Sequence, residues 1–341
     1  MPALPVYKGD APPLHTIRKP ANDRRHMWSL RWYVALLLVF SIATYFISFH
    51  HGSSTFHRMN DEVTTSRKDI KNMIQLLPSN FLPETGKHRH NGRLVVVGDV
   101  HGMKHSLVSL LSKMDFNRKH DHLILAGDMI SKGPDSKGVV DLIMKIGATA
   151  VRGNHEDQVL IEYARMTDAN VTITEDGEDV TTDEEPLLSA GNHKDRKLVK
   201  ALGHKRLRWL KSCPIILKVG ELEGMGNVIV VHAGLVPGVR LEKQDPETVM
   251  NIRTISKDGK PRDDHDGRPW TKAWHEYQKS LQMKDRTMVI YGHDARLGLQ
   301  EEKYSIGIDT RCQKGGKLTA VVIEGGFSVH KYHIVHVGCK A

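Results

Sequence analysis

The chain has 341 residues, enough for one large domain or two ordinary ones, and it carries 49 Lys and Arg against 40 Asp and Glu. Its net charge of +9 is compatible with an anionic substrate, but the excess is too diffuse to indicate nucleic-acid binding. Three cysteines without any CxxC pair exclude a disulfide scaffold and a zinc knuckle, and they allow at most one internal disulfide.

An uncharged hydrophobic stretch, Trp32–Phe49, is the first element that the sequence predicts. As a helix it would be about 27 Å long at about 1.5 Å per residue, close to the bilayer's hydrocarbon core of about 30 Å. Its distance from the N-terminus and the aromatic residues at its ends favour a transmembrane signal anchor. A cleaved signal peptide or a buried core helix is the alternative.

The charges on either side of this stretch predict its orientation. Residues 1–31 form a basic tail with only Asp10 and Asp23 as acids, and the positive-inside rule keeps such a tail in the cytoplasm. Everything after Phe49 then lies in a lumen, as in a single-pass type II protein. A sequon at Asn170 would be usable only in that compartment. The basic residues of the tail are Lys8, Arg18, Lys19, Arg24, Arg25 and Arg31.

Residues 50–91 are mixed polar and charged, and they predict a lumenal stem whose LLPSNFLP segment could dock on the domain that follows. That domain is predicted over residues 92–341. In its first half, short β-branched runs alternate with helical patterns in βαβαβ order, which predicts an α/β fold with a largely parallel, buried sheet. The predicted strands are 93–98, 122–126 and 149–152, and the predicted helices are about 104–114 and 136–146.

The second half contains an acidic stretch, 167–186, that predicts a mobile surface insertion. The segment 194–211 is a basic amphipathic helix, either a solvated face that covers the core or a polyanion-binding surface. The remaining strands predict a second sheet that packs on the first. They are 215–219, 227–232, 287–291, 318–324 and 328–337.

Five predicted strands end on closely similar polar motifs. These are VVVGDVHG (95–102), LILAGDMISKG (123–133), AVRGNHE (150–156), VIVVHAG (228–234) and VIYGHD (289–294). Ligands of open α/β sheets bind beyond the carboxyl ends of the strands, so these motifs should converge. Oxygen and nitrogen donors without a thiolate suit manganese, iron, cobalt or zinc, and carboxylates can bridge two such ions. The polar residues are Asp99, His101, Asp128, Asn154, His155, His232 and His293.

In this order the motifs strongly resemble those of the calcineurin-like metallophosphoesterases, which include phosphoprotein phosphatases and diadenosine tetraphosphatases. The resemblance covers residues 93 to about 337 and implies a double-sheet sandwich flanked by helices. It implies that two metal ions activate a hydroxide for attack on phosphorus, while His155 acts as the general acid. The implied ligands are Asp99, His101 and Asp128 for one ion, and Asp128, Asn154, His232 and His293 for the other, with Asp128 bridging.

The second motif departs from the phosphoprotein phosphatases, whose corresponding sequence resembles GDxVDRG. Ser131 and Lys132 replace the acid and the arginine, and lysine offers a point charge instead of a bidentate fork. This replacement resembles the ApaH-like phosphatases, as do QDPETVMNIR (244–253), GHDARLGL (292–299) and GIDTRCQKGGKLTA (307–320). A single anchor ahead of the domain is similar to the fungal vacuolar endopolyphosphatases of that group, which use zinc or a similar ion.

The resemblance therefore implies an endopolyphosphatase that cuts internal phosphoanhydride bonds of inorganic polyphosphate in the vacuole lumen. It implies two divalent ions, zinc first, with manganese, cobalt and iron as alternatives. Polyphosphate and a membrane are the expected partners, and no stable nucleic-acid partner is expected. The implied phosphate contacts are Lys132, Arg253 and Arg296, which as an alternative could form ordinary surface ion pairs.

Three other functions are compatible with parts of the sequence. A dinucleoside polyphosphate or mRNA-cap pyrophosphohydrolase would need a base-stacking residue, for which Trp270 and Trp274 are candidates if they are not core residues. A serine/threonine protein phosphatase is disfavoured by Ser131 and Lys132. A membrane-tethered binding protein is disfavoured because all six metal-ligand positions keep residues able to bind a metal.

Overall fold

A computed structural model of the protein describes residues 73–85, 92–178, 193–326 and 328–340. Within these ranges no stretch of helix combines the length and hydrophobicity that a membrane crossing requires. The predicted tail, the anchor Trp32–Phe49 and most of the stem lie outside the described residues, so these assignments stay predictions.

Strands and helices follow in nearly the predicted order. In chain order they are β1 (Ile74–Leu76), β2 (Arg93–Val97), α1 (Lys104–Lys113), β3 (His122–Leu125), α2 (Ser136–Ile146), β4 (Thr149–Ala150), α3 (Asn154–Asp168), α4 (His193–Ser212), β5 (Ile216–Leu222), β6 (Gly226–Val231), α5 (Pro246–Asn251), β7 (Thr254–Ile255), β8 (Pro261–Arg262), β9 (Arg268–Pro269), α6 (Trp270–Ser280), β10 (Thr287–Tyr291), β11 (Gln300–Glu302), β12 (Ser305–Gly307), β13 (Lys317–Gly325) and β14 (His330–Gly338).

Two mixed sheets form the framework of the domain. One has the strand order β14-β13-β2-β3-β4, in which β2, β3 and β4 are parallel. The other has the order β1-β5-β6-β10-β12-β11, in which β6, β10 and β12 are parallel. A small third sheet, β8-β7-β9, follows α5. Parallel strands bring their carboxyl ends to one edge of a sheet. Each of the two large sheets therefore has an edge at which the carboxyl ends of its parallel strands lie together.

The two large sheets pack face to face, as the β-branched residues of their strands require. Leu94 and Val96 of β2 lie in one apolar cluster with Val228 and Val230 of β6, and all four are at most 1% exposed. Helices α1 to α4 cover the outer face of the first sheet, and α5 and α6 cover that of the second. The fold is therefore an α/β sandwich in which two sheets lie between layers of helices.

The prediction that all strands of the second half form a second sheet is wrong for β13 and β14, which belong to the first sheet. β13 pairs with β2, with Val321 opposite Val96, and thereby completes the first sheet. Both faces of β13 are apolar and buried, which suits a strand inside a sheet and not at an edge.

The LLPSNFLP segment docks on the domain, as expected. Ile74 pairs with Ile216, so β1 adds a parallel edge strand to the second sheet. Leu77 is 2% exposed in the cluster between the sheets, and Phe81 stacks on His122 with ring centroids 3.8 Å apart. The sheet therefore begins before the predicted domain start at residue 92.

The acidic stretch is only partly the insertion that its composition predicts. Most of residues 167–178 are exposed, but Ile173 is only 8% exposed and packs in the core, whereas 179–186 lie outside the described residues. α4 breaks at Gly203, where φ is 68°. The N–H groups of His204 and Lys205 donate instead to the carbonyls of Thr174 and Glu175, at 3.0 and 3.1 Å. The break in the predicted basic helix therefore anchors the first part of the acidic stretch.

The single disulfide that three cysteines allow joins Cys312 and Cys339. It ties the segment before β13 to the end of β14. Cys213 is a free thiol, 4% exposed, and burial raises its pKa to about 12. This thiol is therefore a core residue without nucleophilic character.

Candidate dinuclear metal centre

The carboxyl ends of β2, β3, β4, β6 and β10 bring the predicted ligands together. Asp99 and His101 follow β2, Asp128 follows β3, and Asn154 follows β4. His232 and His293 follow β6 and β10 in the facing sheet. The five strand-end motifs therefore meet at one edge of the sandwich, as their spacing predicts.

Asp128 lies at the middle of this group and is 2% exposed. Its Oδ2 is 3.5 Å from His101 Nε2 and 3.9 Å from His155 Nε2, while its Oδ1 is 3.4 Å from His232 Nε2. Its two oxygens therefore face different sets of neighbours. That arrangement is the one a bridging carboxylate requires.

The remaining predicted ligands complete two sets around Asp128. His101 Nε2 is 3.9 Å from Asp99 Oδ2 on one side. On the other side, His232 Nε2 is 3.0 Å from Asn154 Oδ1 and 3.2 Å from His293 Nδ1. Two compact donor triads share Asp128: one is His101, Asp128 and His155, and the other is Asp99, Asp128 and His232.

Backbone carbonyls orient the three histidine ligands. His101 Nδ1 lies 3.1 Å from the carbonyl oxygen of Ile130, and His232 Nδ1 lies 2.9 Å from that of Ala126. His293 is turned the other way, with Nε2 3.1 Å from the carbonyl oxygen of Asn251. If each of these nitrogens donates, the other ring nitrogen keeps a lone pair for a metal, as is usual in metal sites.

Glycine is required where the strand-end backbone approaches the ligands. A Cβ on Gly292 would lie 2.0 Å from Asp99 Oδ1, and one on Gly153 would lie 2.3 Å from Asp128 Oδ1. Asp128 itself has φ of 48°, in the left-handed region that is costly for a residue with a side chain. The backbone at the strand ends therefore adopts energetically costly conformations that leave room for the ligand oxygens.

Glu156 supports the centre, although the sequence reasoning assigned it no role. Its Oε2 accepts the N–H groups of Asp128 and Gly153 at 2.8 and 2.9 Å, and its Oε1 accepts those of Met129 and Ile130 at 2.8 and 3.1 Å. Burial and the Asp128 carboxylate raise the pKa of Glu156 to about 7. The signal for this role was its position three residues after the N-cap glycine, where a capping-box acid stands.

Asp309 is a second residue that the sequence reasoning missed. It follows β12, which is parallel to β10; its carboxylate is close enough to raise the pKa of Asp99, and it accepts the N–H of Arg311 at 3.1 Å. The rule that acids at strand ends converge could have found Asp309, but no strand had been predicted before it.

The donor set fits two divalent cations. Burial, followed by the nearby carboxylates Asp309 and Asp128, raises the pKa of Asp99 well above its usual value. Burial also opposes the charge of Asp128, but its interactions with the imidazoles of His232 and His101 keep its pKa well below its usual value. Cations between these oxygen and nitrogen donors would stabilise both carboxylates in their charged forms.

The three predicted phosphate contacts, Lys132, Arg253 and Arg296, are not equally near the ligands. Lys132 Nζ is 3.1 Å from His101 Nε2, and Arg253 is close enough to His293 that its charge contributes, after burial and His232, to lowering the pKa of that histidine. Arg296 lies in an exposed turn after the GHD motif, and no contact joins it to the ligands within the described residues.

The predicted general acid, His155, stands at the rim of the centre. Its side chain is 21% exposed and its ring lies edge-on to that of His101, with centroids 5.0 Å apart. Burial lowers the pKa of His155, with Lys132 and His232 acting in the same direction and Asp128 opposing them.

A polar cavity of about 480 Å³ opens beside Asn154. Among the described residues, its lining contains four acidic side chains and no aromatic one. Trp270 and Trp274, the predicted candidates for base stacking, are instead 2% and 5% exposed in the core. The cavity is lined by Asn154, Asp157, Gln158, Glu247, Thr248, Asn251, Ile252, Pro261, Arg262, Asp263 and Asp264.

Comparisons with known proteins agree with this site. The zinc-dependent endopolyphosphatase of Saccharomyces cerevisiae is 27% identical over 277 residues, which cover 73% of this chain and 82% of the yeast protein. The asymmetrical bis(5'-nucleosyl)-tetraphosphatase of Oceanobacillus iheyensis is 27% identical over 240 residues, 67% of this chain and 87% of that protein. A solved structure, provisionally assigned as a diadenosine tetraphosphatase, is 28% identical with a TM-score of 0.58 and covers 79% of this chain and 99% of that one.

A model of the calcineurin-like phosphoesterase family matches residues 92–322, which include all six predicted metal ligands. The chain therefore belongs to the calcineurin-like phosphoesterase family, the metallophosphoesterases.

Proposed function

We propose that the protein is a metal-dependent endopolyphosphatase that hydrolyses internal phosphoanhydride bonds of inorganic polyphosphate. The observation that carries the proposal is Lys132, whose Nζ lies 3.1 Å from His101 Nε2, beside the metal centre. A single flexible ammonium can hold successive phosphates of a chain without demanding one fixed orientation, unlike a bidentate arginine. The yeast relative, a zinc-dependent endopolyphosphatase, supports this choice.

The ligands described above would hold two divalent ions, with Asp128 between them. Zinc is the first candidate because of the yeast relative, although manganese, cobalt and iron accept the same donors. Such ions polarise phosphoryl oxygens and stabilise the negative charge that develops when the attacking oxygen approaches phosphorus.

The residues around the ions then have separate tasks. Lys132 and Arg253 bind non-bridging phosphate oxygens, and Arg296 contributes where a chain extends toward its exposed turn. His155 Nε2 donates a proton to the oxygen that leaves phosphorus. Its lowered pKa makes the protonated imidazole a stronger acid, and the Asp128 carboxylate 3.9 Å away helps it to keep the proton until transfer.

A second candidate function is the hydrolysis of dinucleoside polyphosphates or of capped RNA, because the relative from O. iheyensis and the solved structure both carry a tetraphosphatase name. The cavity beside Asn154 disfavours it, since none of the described residues that line this cavity is an aromatic that could stack a base.

We further propose that the protein is held in the vacuole membrane by Trp32–Phe49, with the catalytic domain in the lumen. The uncharged stretch and the basic residues before it support this topology. The disulfide between Cys312 and Cys339 supports an oxidising compartment, because such bonds rarely persist in the cytosol. Protease protection of epitope tags at the two termini in isolated vacuoles tests it, and a protected N-terminal tag would contradict it.

The test of activity uses the purified full-length protein in detergent and its His155→Ala variant. Each is incubated with long-chain polyphosphate, diadenosine tetraphosphate, capped RNA and a phosphopeptide, in the presence of each candidate ion. We expect polyphosphate to be shortened to intermediate lengths on gels, with a loss of at least about a hundredfold in the variant. Release of single phosphates from chain ends would contradict the endo mode, and faster cleavage of diadenosine tetraphosphate would favour the second candidate.

A further inference from the structure

Residues 263–266, in the loop between β8 and β9, lie beside the candidate metal centre and contribute Asp263 and Asp264 to the cavity lining. We refer to these residues as the 263–266 loop. The same cavity lining includes the predicted ligand Asn154 and also Asn251, whose carbonyl oxygen is 3.1 Å from His293 Nε2. A substrate that reaches beyond the metal ions on this side therefore meets the loop.

One contact fastens the loop to the centre. His265 Nε2 lies 3.0 and 3.2 Å from the two carboxylate oxygens of Asp294. Asp294 directly follows the ligand His293, and its side chain is only 10% exposed. Because one partner belongs to a strand-end motif and the other to the loop, this hydrogen bond fixes the distance between them.

A second contact fastens Arg253 to the same loop. Arg253 Nη1 donates to the carbonyl oxygen of Asp263 at 2.8 Å, two residues before His265. The backbone N–H of Arg253 donates to the carbonyl of Arg262 at 2.8 Å. The position of the guanidinium group thus depends on where the 263–266 loop is held.

We propose that His265 is a positioning residue that orients Arg253 for phosphate binding by tying the 263–266 loop to Asp294. The inference rests on the proposed role of Arg253 in binding phosphate. Asp294 supplies the fixed end, His265 the connection, and the carbonyl of Asp263 the contact that sets the guanidinium in place. His265 itself touches no reacting atom.

Loss of the imidazole should release the loop while leaving the metal ligands in place. The guanidinium would then have to be ordered each time phosphate binds, so affinity should fall more than the rate of the chemical step. A neutral donor at the same position should restore part of the effect, because the carboxylate of Asp294 still has a hydrogen-bond partner.

The experiment measures binding of inorganic phosphate to the zinc-loaded full-length protein by calorimetry, together with kcat and KM for polyphosphate. The variants are His265→Ala, His265→Gln, Arg253→Ala and the double variant of the two alanine changes. Lys260→Ala is the matched control, because this residue lies in the turn between β7 and β8, its side chain is 80% exposed, and its ammonium pairs with Asp258 in the same turn. Thermal unfolding checks that each variant is folded.

We expect His265→Ala to weaken phosphate binding and raise KM by about five- to tenfold while kcat changes by less than about twofold. His265→Gln should recover part of the loss, and Lys260→Ala should match the wild type. In the Arg253→Ala background, His265→Ala should add less than about a twofold effect, since the two residues act as one unit. Unchanged phosphate binding in His265→Ala, or effects that multiply in the double variant, would overturn the inference.

The same experiment gives a different result if the proposed function is wrong. If the wild type binds phosphate but does not cut polyphosphate, the substrate proposal is wrong. The calorimetric comparison of the variants still decides the role of His265.

Discussion

Replacing Glu156 by glutamine should destabilise the protein and weaken metal binding, although the two side chains have nearly the same shape. The carboxylate accepts four backbone N–H groups, two on each oxygen, from Asp128, Met129, Ile130 and Gly153. The amide nitrogen of glutamine cannot accept a hydrogen bond. Whichever way the amide is turned, two of these buried donors lose their acceptor.

The size of the effect follows from that count. Each buried donor left without a partner costs about 1 to 3 kcal/mol, and the loops can relax to recover some of this, so we expect a loss of about 2 to 4 kcal/mol. One of the donors is the N–H of Asp128 itself. Because the backbone that carries Asp128 then shifts, zinc affinity should fall by about ten- to a hundredfold.

The assay is urea unfolding of the full-length protein followed by circular dichroism, at about pH 8 so that Glu156 is charged despite a pKa of about 7. Unfolding is measured with a chelator present, and zinc affinity is measured separately by calorimetry. Glu162→Gln is the matched control, since Glu162 is buried on the same helix but binds arginine side chains, with Arg196 Nε at 2.8 Å. A loss below about 1 kcal/mol for Glu156→Gln, or one no larger than that of the control, would refute the reasoning.

Three further predictions concern stability and use the same unfolding measurement. Cys312→Ser opens a loop of 27 residues and should cost about 3 to 4 kcal/mol, whereas Cys213→Ala, which breaks no bridge, should cost about 1 kcal/mol; equal losses would contradict a stabilising disulfide. Burial lowers the pKa of His122 from 6.5 to about 4, so its contribution is present above pH 6.5 and is lost as the pH falls through 4. The wild type should therefore lose up to about 3 kcal/mol over this range relative to His122→Gln, and parallel pH profiles would show that His122 is not responsible. Leu77→Ala should cost about 2 to 4 kcal/mol while Leu76→Ala, at a position 64% exposed, stays within about 0.5 kcal/mol; similar losses would contradict the docking of this segment.

The convergence of the candidate metal ligands could be predicted because each of them lies in a short segment with a recognisable pattern. A β-branched run ending in glycine and a polar residue marks a buried strand whose end turns away from the sheet, as at Asp99 and Asp128. Parallel pairing of β2 with β3 and of β6 with β10 then brings such ends together without further information. Periodicity also predicted the bounds of α2 correctly, Ser136–Ile146, where Asp135 caps the helix and Gly147 ends it.

Sheet assignment and chain breaks could not be predicted in this way. The apolar sequence of β13 suits a buried strand in either sheet, and only its pairing with β2 decides between them. Gly203 lies within a segment of uniform helical pattern. It breaks the helix because Thr174 and Glu175, nearly thirty residues earlier, offer carbonyls to the N–H groups that follow it. Both outcomes depend on partners that a local pattern does not contain.

The residues that support the ligands were missed for a related reason. Glu156 binds backbone N–H groups, and His265 acts on Arg253 through the backbone carbonyl of Asp263. Because nearly every residue type has these backbone groups, the sequence does not mark which residues will make such contacts. The N–H of His293 donates to Asp99 across 194 positions of the chain, and no spacing rule reaches that far. Ligand identity is therefore set by residue type at strand ends, whereas ligand geometry is set by contacts between loops. Because the same six candidate ligands would suit several phosphate compounds, differences in substrate should follow from residues such as Lys132 and His265, which surround the candidate metal centre without being ligands.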